Sequence, residues 1–450
     1  MKNRYVFQTL GLLLVLAACG TQPPPNQTLE LDGTFGSGGV AVAADAGAAG
    51  SGDAAYAIVV DADGILLAGH GCAAADPTCW ISASNSWVAA AWRFTPEGAS
   101  NPGFAASGVF QDADAAGGGQ ANIIFDALGR PGGFLLAGGG KNAAGDLDAV
   151  LWALAEDGEL DPTTFASGKA VVSDLVSAGY HDFVHAVSKD AGGYWMAGGV
   201  GSSASDYTMA VWRLQADGAP DTNFDGDGVF NDPAHSMEYV SDLAILPGGA
   251  PLAVGEGYGT HQPLVWKLRP EGGFDTTFAG GRVELPTPEG SGAALALALD
   301  GAKVLVAGYA SIAGVPHLAL WRLTPDGTLD PEFGSNGLRV LEGTSPANYH
   351  DGLVDLAVDE QGRYWLVGGV TSDAGDLDMA VWRLLPSGEL DPHFCGGGPC
   401  TFDNAAGGYG DDWGTALVLT QNAVYVGGWS WDGTSRDAVV WKLGLVDTSR

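Results

Sequence analysis

Two short stretches of this chain carry side chains that could do chemistry together. Tyr180-His181-Asp182 and Tyr349-His350-Asp351 each set a phenol, an imidazole and a carboxylate side by side. Comparable positions hold Asp53, His235 with Glu238, and Asp411-Asp412-Trp413. Aromatic faces beside carboxylates suit sugars and cations, so a glycan, peptide or metal site is one expectation. The plainer expectation is that such pairs cap strand ends and hydrogen-bond turns. Calcium takes roughly six to eight oxygens. Asp61/Asp63, Asp146/Asp148 and Asp225/Asp227 offer carboxylates two apart, but none continues into an EF-hand loop with its distant Glu. Ca²⁺ is therefore the one ion left open; no metal site and no cofactor are assigned. No Ser-His-Asp pattern of hydrolase type, phosphate-cradling loop or HExxH is visible. Gly117-Gly118-Gly119 lacks the strand-to-helix setting of a nucleotide loop.

These residues must be held by something, and the sequence says what. Trp92, Trp152, Trp212, Trp266, Trp321, Trp382 and Trp441 recur at spacings of 60, 60, 54, 55, 61 and 59 residues. A fixed period of this kind sets the fold before any local pattern does. Six of the seven are followed by a base: Arg93, Arg213, Lys267, Arg322, Arg383 and Lys442, with Ala153 the exception. Upstream of each tryptophan runs an apolar stretch ending in glycine, such as Leu66-Leu67-Ala68-Gly69. Downstream comes an acidic-Gly turn and then a phenylalanine, as in Asp326-Gly327-Thr328-Leu329-Asp330-Pro331-Glu332-Phe333. Asp and Gly suit such turns, so much of the negative charge is repeated turn chemistry. The bases and Asp32, Asp161, Asp221, Asp275, Asp330 and Asp391 recur together, which predicts a structural Arg–Asp contact rather than an anion-binding ring.

On these motifs the chain resembles the bacterial delta-60 repeat family, whose mark is Leu-Asp-x-x-Phe-Gly-x-x-Gly about every 60 residues. Leu31-Asp32-Gly33-Thr34-Phe35-Gly36-Ser37-Gly38-Gly39 matches it well. Asn101 replaces the aspartate, and Asp161 lies one residue further from Phe165. The resemblance covers about residue 29 to the end and implies an architecture, not an activity.

The strands and turns predict an all-β, seven-bladed β-propeller of four-stranded blades, a form that leaves only short protected edges. The N-terminal fragment Leu29–Val42 holds only the motif and one strand, Gly39–Val42. The last repeat stops at Trp441-Lys442-Leu443 without that strand, so the N-terminal strand would close the ring. An open solenoid is the alternative, and the split repeat speaks against it. In such a blade the loops into the first strand and those before the tryptophan strand open on one face. The second set brings Trp80, Trp87, Asp206, His261, His317, Asp376, Trp429 and Trp431 to that face.

Residues 1–19 read as a leader, with Lys2 and Arg4 before an apolar run from Leu10 to Ala18. Leu16-Ala17-Ala18-Cys19 looks like a lipobox, which implies a diacylglycerol on Cys19 and membrane binding at roughly 0.8 kcal/mol per buried methylene. Gly20 in place of an aspartate leans towards the outer membrane. Residues 20–28, with Pro23-Pro24-Pro25, form an extended tether, and 29–450 a single propeller. Removing Lys2 and Arg4 from 19 bases leaves 17 against 53 acids, near −36. Such a surface repels nucleic-acid phosphates, which excludes DNA or RNA as a natural partner.

Besides Cys19 there are four cysteines, allowing three pairings. Cys72 lies between a second and a third strand; Cys395 and Cys400 lie between a third and a fourth. Those loops open on opposite faces, so Cys72–Cys79 and Cys395–Cys400 are expected, each worth roughly 2 kcal/mol. Export past a membrane permits both. The resulting expectation is a monomeric, lipid-anchored envelope protein that binds a protein or glycan without catalysis. An extracytoplasmic polysaccharide lyase or hydrolase is the alternative, since the fold hosts both.

Overall fold

The computed structural model describes residues 26–43, 45–46, 50–73, 86–172, 180–203, 206–257, 261–341, 355–372 and 374–448. Six four-stranded antiparallel sheets follow one another, each laid down in chain order from its first strand to its fourth, and a seventh completes the set. In the first blade the strands are Asp53–Asp61, Gly64–Cys72, Trp87–Phe94 and Val109–Asp112. In the sixth they are Asp355–Val358, Tyr364–Thr371, Leu377–Leu384 and Cys400–Phe402. The first strands pack against one another from blade to blade and Asp412–Leu419 returns to Asp53–Asp61, so they are innermost and the ring is closed. The chain is a seven-bladed β-propeller.

Closure is double. Val40–Val42 pairs with the last strand, Arg436–Asp447, at Val439 to Trp441. Gln27–Leu31 pairs with the same strand further along, Leu29 opposite Leu445. The sequence shows the first segment; the second was too short to read, and it takes in Gln27 and Thr28 from the expected tether. The predicted Cys395–Cys400 disulfide is present, with Cα atoms 5.5 Å apart. It lies under this closing strand: Leu29 N donates to Cys400 Sγ at 3.3 Å. Cys72 is buried, and its expected partner Cys79 lies outside the described residues.

Each sheet presents both faces to neighbouring blades. Second strands are therefore buried on both sides and read as unbroken apolar runs rather than alternations. All seven repeat tryptophans are at most 1% exposed. The core consists of layers between blades, such as Ile58, Leu67 and Trp92 against Ala416, Val418 and Val440. The glycine ending the run in blades one to five, and Gly428 just past it in blade seven, has a specific cause. Among the described residues six first strands carry a bulge, for example between Ala55 and Ala57, and between Val184 and Ala186. The bulge drives a carbonyl into the second strand. A Cβ at Gly69 would collide with Ala54 O, and one at Gly198 with Phe183 O. Only glycine leaves that space.

Candidate functional site

We call upper the face that carries the loops into the first strands and the second-to-third strand loops. The other face, lower, carries the Leu-Asp-x-x-Phe motifs.

On the lower face the repeated bases do one job. Arg383 Nε meets Asp391 Oδ2 at 2.8 Å, with side chains 1% and 5% exposed. Arg322 and Asp330 repeat the geometry at 2.8 Å, and Lys442–Asp32 and Lys267–Asp275 follow at 3.0 and 2.9 Å. Each base also lies over a ring: Arg383 over Phe394 at 4.5 Å, Arg322 over Phe333 at 4.8 Å. Where Ala153 breaks the pattern, Arg130 at the end of its blade's first strand supplies the guanidinium to Asp161 at 2.5 Å. Asn101 breaks it too, and Arg93 turns to Asp61, also at 2.5 Å. The motif phenylalanines reach the next blade. Phe35, Phe104 and Phe165 rest on Gly98, Gly158 and Gly218, whose φ values of 84°, 83° and 87° admit no side chain comfortably. These contacts hold blades together.

The upper face is uneven. Tyr180, His181 and Asp182 stand together at the start of the third blade. His181 Nδ1 accepts a hydrogen bond from Leu147 N at 2.8 Å, which ties this loop to the second blade. Asp182 is 2% exposed. Asp412 is fully buried and accepts from Asn404 N at 2.8 Å and Ala405 N at 3.3 Å. Burial pushes its carboxyl up to about 6. Trp413 does not offer a ring to solvent: it is 2% exposed, packed with Ala54, Leu377 and Trp429. Its position in a loop-like stretch concealed that the neighbouring blades cover it. Tyr349, His350 and Asp351 lie outside the described residues. The spaced carboxylates serve turns, with Asp61 Oδ1 taking Asp63 N at 2.9 Å and Asp148 Oδ1 taking Asn142 Nδ2 at 2.8 Å. Among the described residues no group of three or more His, Cys, Asp or Glu side chains is arranged to hold a metal ion.

The main feature of this face was not read from the sequence. The extra residue at the bulge of the innermost strand is Tyr56 in blade one, Phe125 in blade two and His185 in blade three. Tyr56 meets Phe125 at 5.7 Å, Phe125 meets His185 at 4.7 Å, and His185 meets Tyr239 of blade four at 5.4 Å. Phe183 and Tyr207 join at one end of this arc, and His70 with Trp87 at the other. Apart from buried His70, these side chains are half-buried. Because the first strands are innermost, the rings form an aromatic arc along the inner wall of four blades. His185 Nδ1 lies 3.1 Å from Val240 O. Burial holds its imidazole down at about 4, so it is neutral near pH 7. The signal that could have found the arc is the residue just after the apolar pair in each first strand.

Two acidic regions lie beyond the blade-one end of the arc. An open pocket of about 820 Å³ between blades six and seven is lined by Asp376, Asp378, Asp403, Asp411, Ser372 and the 87% exposed Tyr409. At the junction of blades seven and one, burial pushes Asp53 up to about 8, with Asp45 and Asp437 adding repulsion. Burial likewise pushes Asp437 up to about 7, with Asp432 and Asp45 adding to it.

A family model described as a domain of unknown function (DUF5122) beta-propeller matches residues 195–224, 303–333 and 362–394. This is a β-propeller repeat protein. Each matched segment spans one second strand through to its motif phenylalanine, the unit that recurs around the ring. No curated protein matches the sequence. Among solved structures, a Dyadobacter fermentans protein of unknown function is 10% identical, with 90% of this propeller and 98% of that chain covered and a TM-score of 0.43. Drosophila semaphorin 2a is 9% identical, with 90% and 76% covered and a TM-score of 0.45. Trypanosoma rangeli sialidase is 8% identical, with 87% and 55% covered and a TM-score of 0.41.

Proposed function

We propose that this chain is a lipid-anchored envelope protein of delta-60 repeat type whose upper face binds a ligand without catalysis. The aromatic arc on the inner wall carries this reading, because half-buried rings gathered around one end of a rigid ring are a binding surface in search of an apolar or cationic group. The position of the N-terminus supports it. Gln27 pairs with Asp447 and its amide donates to His393 O at 2.6 Å, so the chain enters at the lower face. Seven residues lie between it and Cys19, eight chain steps with a reach of about 28 Å at most. An acylated Cys19 would therefore hold the lower face towards the bilayer and leave the arc facing away. Outer-membrane or surface location, a monomeric ring and an envelope protein or glycan as partner belong to the same reading.

The deciding experiment immobilises the whole chain and captures ligands from envelope extract. A ligand retained by the wild type and lost with Phe125→Leu/Tyr239→Leu, in a variant that melts normally, is the expected result. A ligand that survives this double change but is lost on altering lower-face residues would overturn the choice of face. Fatty-acid labelling abolished by Cys19→Ala checks the anchor.

A second reading, an extracytoplasmic hydrolase or lyase, has one observation behind it. Asp437 is held near neutrality beside other carboxylates, as a general acid would be. Turnover of an envelope polysaccharide that Asp437→Asn abolishes would favour it.

A further inference from the structure

We propose that the aromatic arc binds an organic cation, an alkylammonium group carried on an apolar body; this rests on the upper face being the binding face. The angles between the rings make the first argument. Phe125 meets His185 at 79°, His185 meets Tyr239 at 81°, and Phe183 meets Tyr207 at 67° and Tyr239 at 65°. A sugar needs one ring lying flat and open. Rings set nearly perpendicular offer no such single platform; steep angles between neighbouring rings are the way an aromatic cage for a cation is built.

Charge makes the second argument. Glu256, 6% exposed, accepts hydrogen bonds from the hydroxyls of Tyr239 and Tyr309. A carboxylate behind a phenol moves electron density into the ring and sharpens its negative face. Around the arc stand Asp45, Asp182 and Asp412, on a chain of net charge −34. Against these acids the described upper loops set Lys141 and Arg436, and Arg436 already lies 3.6 Å from the centre of the Trp429 ring. The lower face shows that this protein satisfies cations in this way, since each motif base sits on a ring beside a carboxylate. The arc repeats that pairing of rings and carboxylate along the inner wall.

The test uses the whole chain in detergent with choline as probe and 3,3-dimethylbutan-1-ol as its neutral isostere, read by saturation-transfer NMR and titration. Choline is expected to bind at least about tenfold more tightly than the alcohol. Phe125→Leu and Tyr239→Leu should each weaken choline by about threefold to thirtyfold. Glu256→Gln should weaken it by about threefold with the melting temperature unchanged, a readout that packing alone would not give. Tyr409→Ala, in the acidic pocket, should change nothing. Equal binding of the two probes, no choline binding at millimolar concentration, or choline binding lost through Tyr409 instead of Phe125 would each overturn the proposal. If choline fails while the captured envelope ligand is still lost in the Phe125→Leu/Tyr239→Leu variant, the binding face stands and only the ligand class falls.

Discussion

The lower and upper faces of this ring are built from the same seven repeats and behave differently. Below, one set of parts recurs with little variation: a base after the tryptophan, an aspartate, a phenylalanine and a glycine in the next blade. When the repeat loses a member, as at Ala153, another residue restores the contact, here Arg130. Above, equivalent positions carry the rings of Tyr56, Phe125 and His185 in three blades but Ser241, Leu295 and Thr415 in three others. Parts that recur with the strands hold the strands; parts that vary from blade to blade are free for a ligand. Acid should also act oppositely on the two faces. Asp275 is held near 2, chiefly by the Thr277 hydroxyl and then by Lys267, whereas Asp53 is pushed up to about 8 by burial.

The largest effect should come from breaking a lower-face pair. Arg383→Ala removes a guanidinium that is 1% exposed and leaves Asp391 buried without it. Removing one partner of a buried pair costs about 3–5 kcal/mol, read as a drop in the urea midpoint. A change below about 1 kcal/mol would show that the recurring pair does not hold the ring, and the contrast between faces would fail.

The next effect lies at the upper seam and depends on pH. Asp53 titrates above its unfolded value, so the folded state holds a proton that the unfolded chain has released. Its stabilising contribution is complete below about pH 4 and is lost as pH rises towards about 8. Blade two solves the same problem differently: Asn122 Oδ1 accepts from Ala115 N at 3.0 Å, as Asp53 does from Ala46 N. Asp53→Asn should therefore raise stability by about 2 kcal/mol at pH 8, with no gain at pH 4. Denaturation at the two pH values measures this. An equal change at both would refute a buried, protonated carboxyl.

Third, the disulfide stiffens the closure on the lower side. Cys395→Ser/Cys400→Ser opens a loop of a few residues and should cost about 2 kcal/mol. Because Leu29 N bonds Cys400 Sγ, the loss should appear first as faster amide exchange at Leu29 and Leu445. Unchanged exchange there would separate the disulfide from ring closure.

The recurring half of the molecule was open to sequence reading and the varying half was not, for a physical reason. Tryptophan spacing, the split repeat and the paired cysteines are local or periodic, and they give the blade count, the closing strand Val40–Val42 and the Cys395–Cys400 bond. The bulge is neither. It adds one residue to six of the first strands and breaks the alternation that says which side chain faces where, so Tyr56, Phe125 and His185 read as ordinary strand residues. His181 was visible as a candidate, but its partner Leu147 belongs to the previous blade. Trp413 looked available because the residues that cover it, such as Leu377 and Ala54, come from other blades.

The smallest effect tests a pattern that crosses the two halves. The residue after the bulge is alanine in blades one, three, five and seven (Ala57, Ala186, Ala296, Ala416) and aspartate in blades two and four (Asp126, Asp242), and in blade six Asp355 opens the described first strand. Each aspartate is buried and reaches the next blade: Asp126 Oδ2 takes Val187 N at 2.8 Å, Asp242 takes Leu297 N at 2.9 Å, and Asp355 takes Leu417 N at 2.8 Å. Blades are thus clamped in pairs, two with three, four with five, six with seven. An odd ring leaves blade one outside the scheme, where Thr415 Oγ1 donates to Ala55 O at 2.8 Å instead. Each Asp→Ala change strips a buried amide of its partner and should cost about 1–2 kcal/mol. The clamps belong to separate pairs, so Asp126→Ala and Asp355→Ala should add. A double variant that loses clearly more than the sum would mean that strain passes around the ring, and that its blades do not act as independent pairs.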